Sequence, residues 1–207
     1  MYPISLDLSR IRILLVGSGE AFSRRLDQLK EQGATQIITF QDALPESHEI
    51  RQANVLMVVG LDYETSAVLA SIAKLQGVLV NVEDKSDLCD FYFVSFVKRG
   101  DLTISVSTNG ASPTLSQEIR SYIAGLFGEE WAGIVNFIGK KRLEWKQEGL
   151  DNKQVSDRTK EYIKSEGLLD STSPAWIQGG VLYDDLAGEI SWNEIGGSVP
   201  PETSNLQ

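Results

Sequence analysis

The stretch that most limits what this chain can fold into is residues 11–22, IRILLVGSGEAF, an apolar run that ends in a glycine-bearing turn. Ile13, Leu14, Leu15 and Val16 are consecutive apolar residues, the pattern of a strand buried on both faces. Gly17, Ser18 and Gly19 then make a turn, and residues 20–30 have helical spacing. A strand that feeds a helix through glycines can hold a pyrophosphate. The first glycine permits the tight turn, the second lets backbone N–H groups approach phosphate oxygens, and the helix N-terminus supplies partial positive charge. The third fingerprint position, normally small so that helix and strand can approach, is Phe22, which weakens the motif.

The alternation continues along the chain. Gly33 is placed to end the first helix, and residues 36–40, QIITF, read as a second strand followed by Gln41 and Asp42. Asp42 lies 23 residues after Gly19, close to the roughly 20 at which a dinucleotide-binding unit places the acid that bonds the adenosine ribose. An acid there disfavours a 2′-phosphate, so it favours NAD over NADP. A solvated loop acid before Pro45 is the competing reading, and the residues alone leave it open. Residues 55–59, VLMVV, ended by Gly60, and residues 78–82, VLVNV, are two further apolar strands, separated by helical spacing through Val68, Leu69, Ile72 and Leu75. Strands alternating with helices predict an α/β, Rossmann-like parallel sheet covered on both faces. Residues 43–54 are polar and of no assigned form, and the only histidine, His48, reads as exposed.

Past Asp84 the character changes. Residues 91–97 and 102–107 are β-rich runs joined by KRGD, which predicts a hairpin, and aromatics on both faces of the first run predict burial on both sides, as at a subunit interface. Ser112 and Pro113 open a helix as N-cap and first position, with Leu115, Ile119, Ile123 and Leu126 at helical spacing. Two more helical segments follow over 131–148 and 152–166. The formal net charge of −10 argues against nucleic acid or an anionic membrane as general partner. Six of the acids and none of the basic residues fall in 170–207, a stretch rich in Ser, Thr, Pro and Gly that reads as an acidic, disordered tail bearing Trp176 and Trp192. Cys89 is the only cysteine, which excludes an internal disulfide and suits a reducing cytoplasm. The start, MYPISLDLSRIR, lacks a signal-peptide pattern, and no apolar run approaches the ~20 residues that span a bilayer.

Three stretches together carry a family resemblance: YPISLDL at residues 2–8, IRILLVGSGEAFSRR at 11–25, and the long segment from VLVNVEDKSDLCDF to GASPTLSQEIR at 78–120. They resemble the siroheme-synthase family, whose members are precorrin-2 dehydrogenases, some of them also sirohydrochlorin ferrochelatases. The similarity covers residues 2–169. Its most specific part is 81–113, where NV-x-D, LCDF, RGDLTI and S-x-x-G-x-SP occur in the family's order and spacing. The resemblance implies an NAD-binding domain over 1–93, a dimerisation region over 94–124 and a helical domain over 125–169, with 170–207 unmatched. It implies a homodimer that binds tetrapyrrole between the nucleotide and helical domains, passes a hydride from precorrin-2 to NAD, and so makes sirohydrochlorin. Bifunctional relatives then insert ferrous iron.

The family's important aspartate falls on Asp84, the implied catalytic residue. A carboxylate there suits both steps, because hydride loss and metallation each require a proton to leave the macrocycle. No protein metal ligands are implied, since the tetrapyrrole nitrogens are the ligands. The competing reading is that Asp84 caps the following turn, with Asp87 and Asp90 as equivalent acids. Implied nucleotide contacts are Gly17, Ser18, Gly19, Glu20, Ala21, Gln41, Asp42 and Gly60, and implied substrate contacts are Ser107, Thr108, Asn109 and Gly110. Two departures touch the cofactor side. Phe22 replaces a small residue, and Gly60-Leu61-Asp62 stands where relatives have Thr followed by polar residues. A chelatase alone, or a non-catalytic tetrapyrrole-binding protein that has lost NAD, is therefore the alternative function.

Overall fold

The structure is a computed structural model that describes residues 2–169, so the expected acidic tail at 170–207 lies outside the described residues. The chain divides into two compact units, one up to Phe93 and one from Val94 onward. The first holds strands β1 (Arg12–Gly17), β2 (Gln36–Gln41), β3 (Val55–Val59) and β4 (Leu79–Val82), with helices α1 (Gly19–Glu31), α2 (Ser47–Ile50) and α3 (Tyr63–Leu75) and a short 3-10 turn at Ser86–Leu88. The four strands are parallel, in the order β2-β1-β3-β4.

The alternation of side chains along β1 and β3 builds two cores. Leu14, Val16, Leu56 and Val58 point to one face with Leu69, Ala70 and Ala73 of α3. Ile13, Leu15, Val55, Met57 and Val59 point to the other with Phe22 and Leu29 of α1. Every residue from Ile13 to Val16 is 0% exposed, which is why the run carries no polar residue. Fully burying each such side chain contributes about 1.5–3 kcal/mol. The edge strand β2 is more open and correspondingly holds Gln36, Thr39 and Gln41. Residues 43–54, unassigned from sequence, contain α2, held by a reciprocal capping box between Glu46 and Glu49 and anchored by buried Ile50. His48 is exposed beside Glu46, as expected.

The second unit holds the antiparallel hairpin β5 (Ser95–Arg99) and β6 (Leu102–Val106), then α4 (Pro113–Leu126), α5 (Trp131–Gln147) and α6 (Asn152–Ser165). Ser112 caps α4 by accepting from Leu115 N–H at 3.2 Å. Arg99 caps the other end, donating to Phe127 O at 2.9 Å. Helices α5 and α6 pack through Phe137 and Tyr162, with Trp145 and Val155 buried.

One expectation needs correction. The first hairpin strand begins at Ser95 rather than at residue 91, because side chains of the first unit hold residues 91–93 out of a ladder. Asn81 Nδ2 donates to Phe91 O, Tyr92 OH donates to Ser86 O, and the Arg25 guanidinium lies 4.3 Å over the Phe93 ring. In the single chain the aromatics of this run are open, with Phe93 51% and Phe96 41% exposed.

Candidate functional site

The carboxyl ends of the parallel strands gather the loops on which most of the expected site residues lie. Gly17 ends β1 against β3, and a Cβ placed on it would strike the carbonyl oxygen and side chain of Val59. Only glycine therefore lets these strands close here. Ser18 occupies the N-cap position of α1 yet makes no capping bond, because its hydroxyl donates to Gly60 O at 2.8 Å. The first-turn N–H groups of α1 are left without a side-chain cap, and the free partial charge of a helix N-terminus suits an anion. Gly19, at φ +66°, has nothing within 4 Å of an added Cβ, so the space above it is open. Glu20 and Ala21 continue into α1 from this point.

Gly60 mirrors that arrangement from the β3–α3 loop. It also sits at φ +66°, and an added Cβ would fall 2.5 Å from Ser18 O. The residue that departs from the family pattern thus allows two loops to touch. Phe22, the other departure, is 2% exposed inside the α1 core, away from the glycine turn. It fills space between helix and sheet.

Gln41 pairs in register with Gly17, and Asp42 N–H donates to Gly17 O at 3.0 Å, so an exposed carboxylate stands beside the glycine turn. These features fit the pyrophosphate and ribose of a dinucleotide.

At the end of β4 the Glu83 N–H still donates to Val58 O, after which the chain turns at Asp84 with Lys85 N–H donating to Val82 O. Asp84 is exposed, at φ +62°, and its side chain makes no hydrogen bond or ion pair among the described residues. Its neighbours are all engaged. Lys85 Nζ donates to Leu61 O at 2.9 Å, and Tyr63 OH donates to Asp87 at 2.6 Å. That bond, and then the Asp87 charge, push the Tyr63 phenol pKa up. Asp90 accepts from Val80 N–H and pairs with Lys74. The Cys89 sulfur accepts from Val82 N–H at 3.1 Å beneath the turn. Asp87 and Asp90 are therefore not equivalent to Asp84, because their oxygens hold the fold.

Sequence reasoning missed this scaffold and missed a cation pair beside it. Arg24 and Arg25 of α1 both reach the same Glu83 oxygen, at 3.1 and 3.2 Å. The signal was present only as two consecutive arginines in the second turn of the first helix.

Ser107, Thr108, Asn109 and Gly110 follow β6 in the second unit. Thr108 Oγ1 accepts from Ser112 N–H and lies 3.1 Å from the buried Ser116 hydroxyl, which organises the entry into α4. Among the described residues, the three non-glycine residues in the left-handed region are Asp42, Asp84 and Asn109, a conformation that Asp and Asn tolerate best. Among the described residues no group of His, Cys, Asp and Glu could hold a metal ion, and no helix is long and apolar enough to cross a membrane.

Comparison with known proteins follows the same division. Residues 4–95 match a family described as NAD(P)-binding, and residues 99–126 match one described as sirohaem biosynthesis protein central. The siroheme synthase of Methylococcus capsulatus is 30% identical over 139 residues, 58% of this chain and 29% of that protein. The siroheme synthase of Nitrosococcus oceani is 29% identical over 163 residues, 70% of this chain and 35% of that protein. The chain thus spans about a third of the length of these curated relatives. The solved structure of SirC, precorrin-2 dehydrogenase, shares the fold with a TM-score of 0.64 at 19% identity, covering 84% of this chain and 96% of that one. Both family models are thus matched in series, and over that stretch the chain is similar to about a third of each of these curated siroheme synthases.

Proposed function

We propose that the chain is an NAD-dependent precorrin-2 dehydrogenase that makes sirohydrochlorin in sirohaem biosynthesis. The observation that carries this reading is the pairing, on one sheet edge, of an uncapped glycine-turn helix with a carboxylate, Asp84, that the fold presents and does not use. Backbone N–H groups of Gly19, Glu20 and Ala21 bind the pyrophosphate, Asp42 binds the adenosine ribose and disfavours a 2′-phosphate, and Gly60 lies on the nicotinamide side. NAD, when bound, supplies the acceptor for a hydride. Asp84 takes the proton that leaves the macrocycle as the hydride departs, so precorrin-2 loses two electrons and two protons in all, and sirohydrochlorin, NADH and one proton result. Ser107, Thr108, Asn109 and Gly110 contact the substrate.

Anaerobic turnover of precorrin-2 with NAD tests the reading by NADH absorbance, with an active relative as control. Asp84→Ala is expected to lower kcat by at least about a hundredfold while NAD affinity holds. Absence of NADH formation by the wild type overturns the assignment.

The same free carboxylate supports a second step, in which Asp84 removes pyrrole N–H protons and ferrous iron enters sirohydrochlorin as substrate. Metallation of sirohydrochlorin no faster than the spontaneous rate removes that step.

Residues 94–124 are the dimerisation region in this reading, and 125–169 a helical domain. The support is the face of α4, where Leu115 is 51%, Tyr122 71% and Leu126 45% exposed, with Ile119 between them. Such a continuous apolar stripe suits a second copy of the chain. Sedimentation of Ile119→Glu as a monomer where the wild type is a dimer tests this. The single cysteine is in keeping with a cytoplasmic location.

A further inference from the structure

Two guanidinium groups converge on one carboxylate oxygen beside Asp84, and one anion is too few for them. Arg24 Nη2 and Arg25 Nη2 lie 3.1 and 3.2 Å from Glu83 Oε1, so the two cations are held within a few ångströms of each other by half a carboxylate. Arg25 is anchored, with 14% of its side chain exposed, its guanidinium over Phe93, and its Nε buried without a hydrogen-bond partner among the described residues. Arg24 is 58% exposed, and among the described residues only one of its five N–H donors is engaged. A guanidinium fork is built to take a carboxylate through two bonds at once.

We infer that Arg24 and Arg25 form a binding site for a carboxylate of the substrate, an acetate or propionate arm of the tetrapyrrole. The inference rests on the function proposed above and assigns specificity-determining residues to it. Position separates this site from the pyrophosphate. The strand order puts the ribose acid Asp42 after β2, the glycine turn after β1, Gly60 after β3, and the arginine pair at the end of β4. A dinucleotide laid from β2 to β3 ends short of β4, where the substrate must meet its nicotinamide end. The pair reaches Glu83, whose next residue is Asp84, so both lie at the carboxyl end of β4. On a chain of net charge −10, a polycarboxylate substrate needs such a local concentration of cations.

Equilibrium titration of the full chain with uroporphyrin, an octacarboxylate, and coproporphyrin, a tetracarboxylate, by porphyrin fluorescence tests the site without turnover. Arg24→Gln is expected to weaken uroporphyrin binding about tenfold and to flatten its salt dependence, with NAD affinity unchanged by calorimetry. Glu83→Gln, which removes the negative charge of their internal partner, is expected to tighten uroporphyrin binding severalfold. A merely structural bridge would make both variants bind less well. Unchanged uroporphyrin affinity in Arg24→Gln, or a loss confined to NAD, overturns the site while the dehydrogenase reading stands. Failure of the wild type to bind either porphyrin overturns both.

Discussion

Two glycines with the same backbone angle make opposite predictions. Gly19 and Gly60 both sit at φ +66°, but an added Cβ meets nothing within 4 Å at Gly19 and falls 2.5 Å from Ser18 O at Gly60. In Gly19→Ala the only native-state cost is the left-handed backbone, about 1–2 kcal/mol, partly offset by about 0.4–1 kcal/mol from a less flexible unfolded chain. Net destabilisation should be about 1 kcal/mol. Gly60→Ala carries the same backbone cost and adds an overlap with main chain that cannot rotate away, about 1–3 kcal/mol. It also strains the Ser18 hydroxyl bond to Gly60 O, about 1 kcal/mol. Urea unfolding should therefore place Gly60→Ala about 2–4 kcal/mol below Gly19→Ala. Nucleotide affinity should fall in Gly19→Ala out of proportion to its stability, since its methyl group enters the open space above the turn. Equal stability of the two variants would refute the loop contact as a source of order. Full NAD affinity in Gly19→Ala would refute the cradle.

Three further outcomes follow from named contacts. Asp62 caps α3 by accepting from Thr65 N–H at 2.8 Å, and this backbone bond, then the Thr65 hydroxyl, hold its carboxyl below the usual carboxylate range. The contribution is thus present above the unfolded pKa and lost as pH falls through the folded one. The urea-midpoint gap between wild type and Asp62→Asn should stay constant above about pH 5 and change only as pH falls below about 4. Leu56→Ala removes a side chain that is 0% exposed in the middle strand β3 and should cost about 2–5 kcal/mol by urea unfolding. Ser112→Ala removes the α4 cap and should cost about 1 kcal/mol, read from protection of the first-turn amides in hydrogen exchange.

The features legible in the chain as written are local ones. Unbroken apolar runs such as VLMVV, the glycine turn after β1, the Ser112–Pro113 start of α4 and the capping residues act within a few positions, so their signals lie side by side in the sequence. They sufficed for a parallel α/β sheet, for the hairpin turn, and for a family resemblance pointing to Asp84. Tertiary structure alone decided what those elements do to one another. Ser18 meets Gly60 across 42 residues, and Arg24 and Arg25 meet Glu83 across nearly 60. No periodicity encodes such pairs, because they depend on β1 lying between β2 and β3. For the same reason residues 91–93 read as strand and proved to be held by side chains, and Asp84, Asp87 and Asp90 looked alike until hydrogen bonds occupied two of them. A carboxylate is free or committed according to what the fold brings to it, and that is a property of three dimensions.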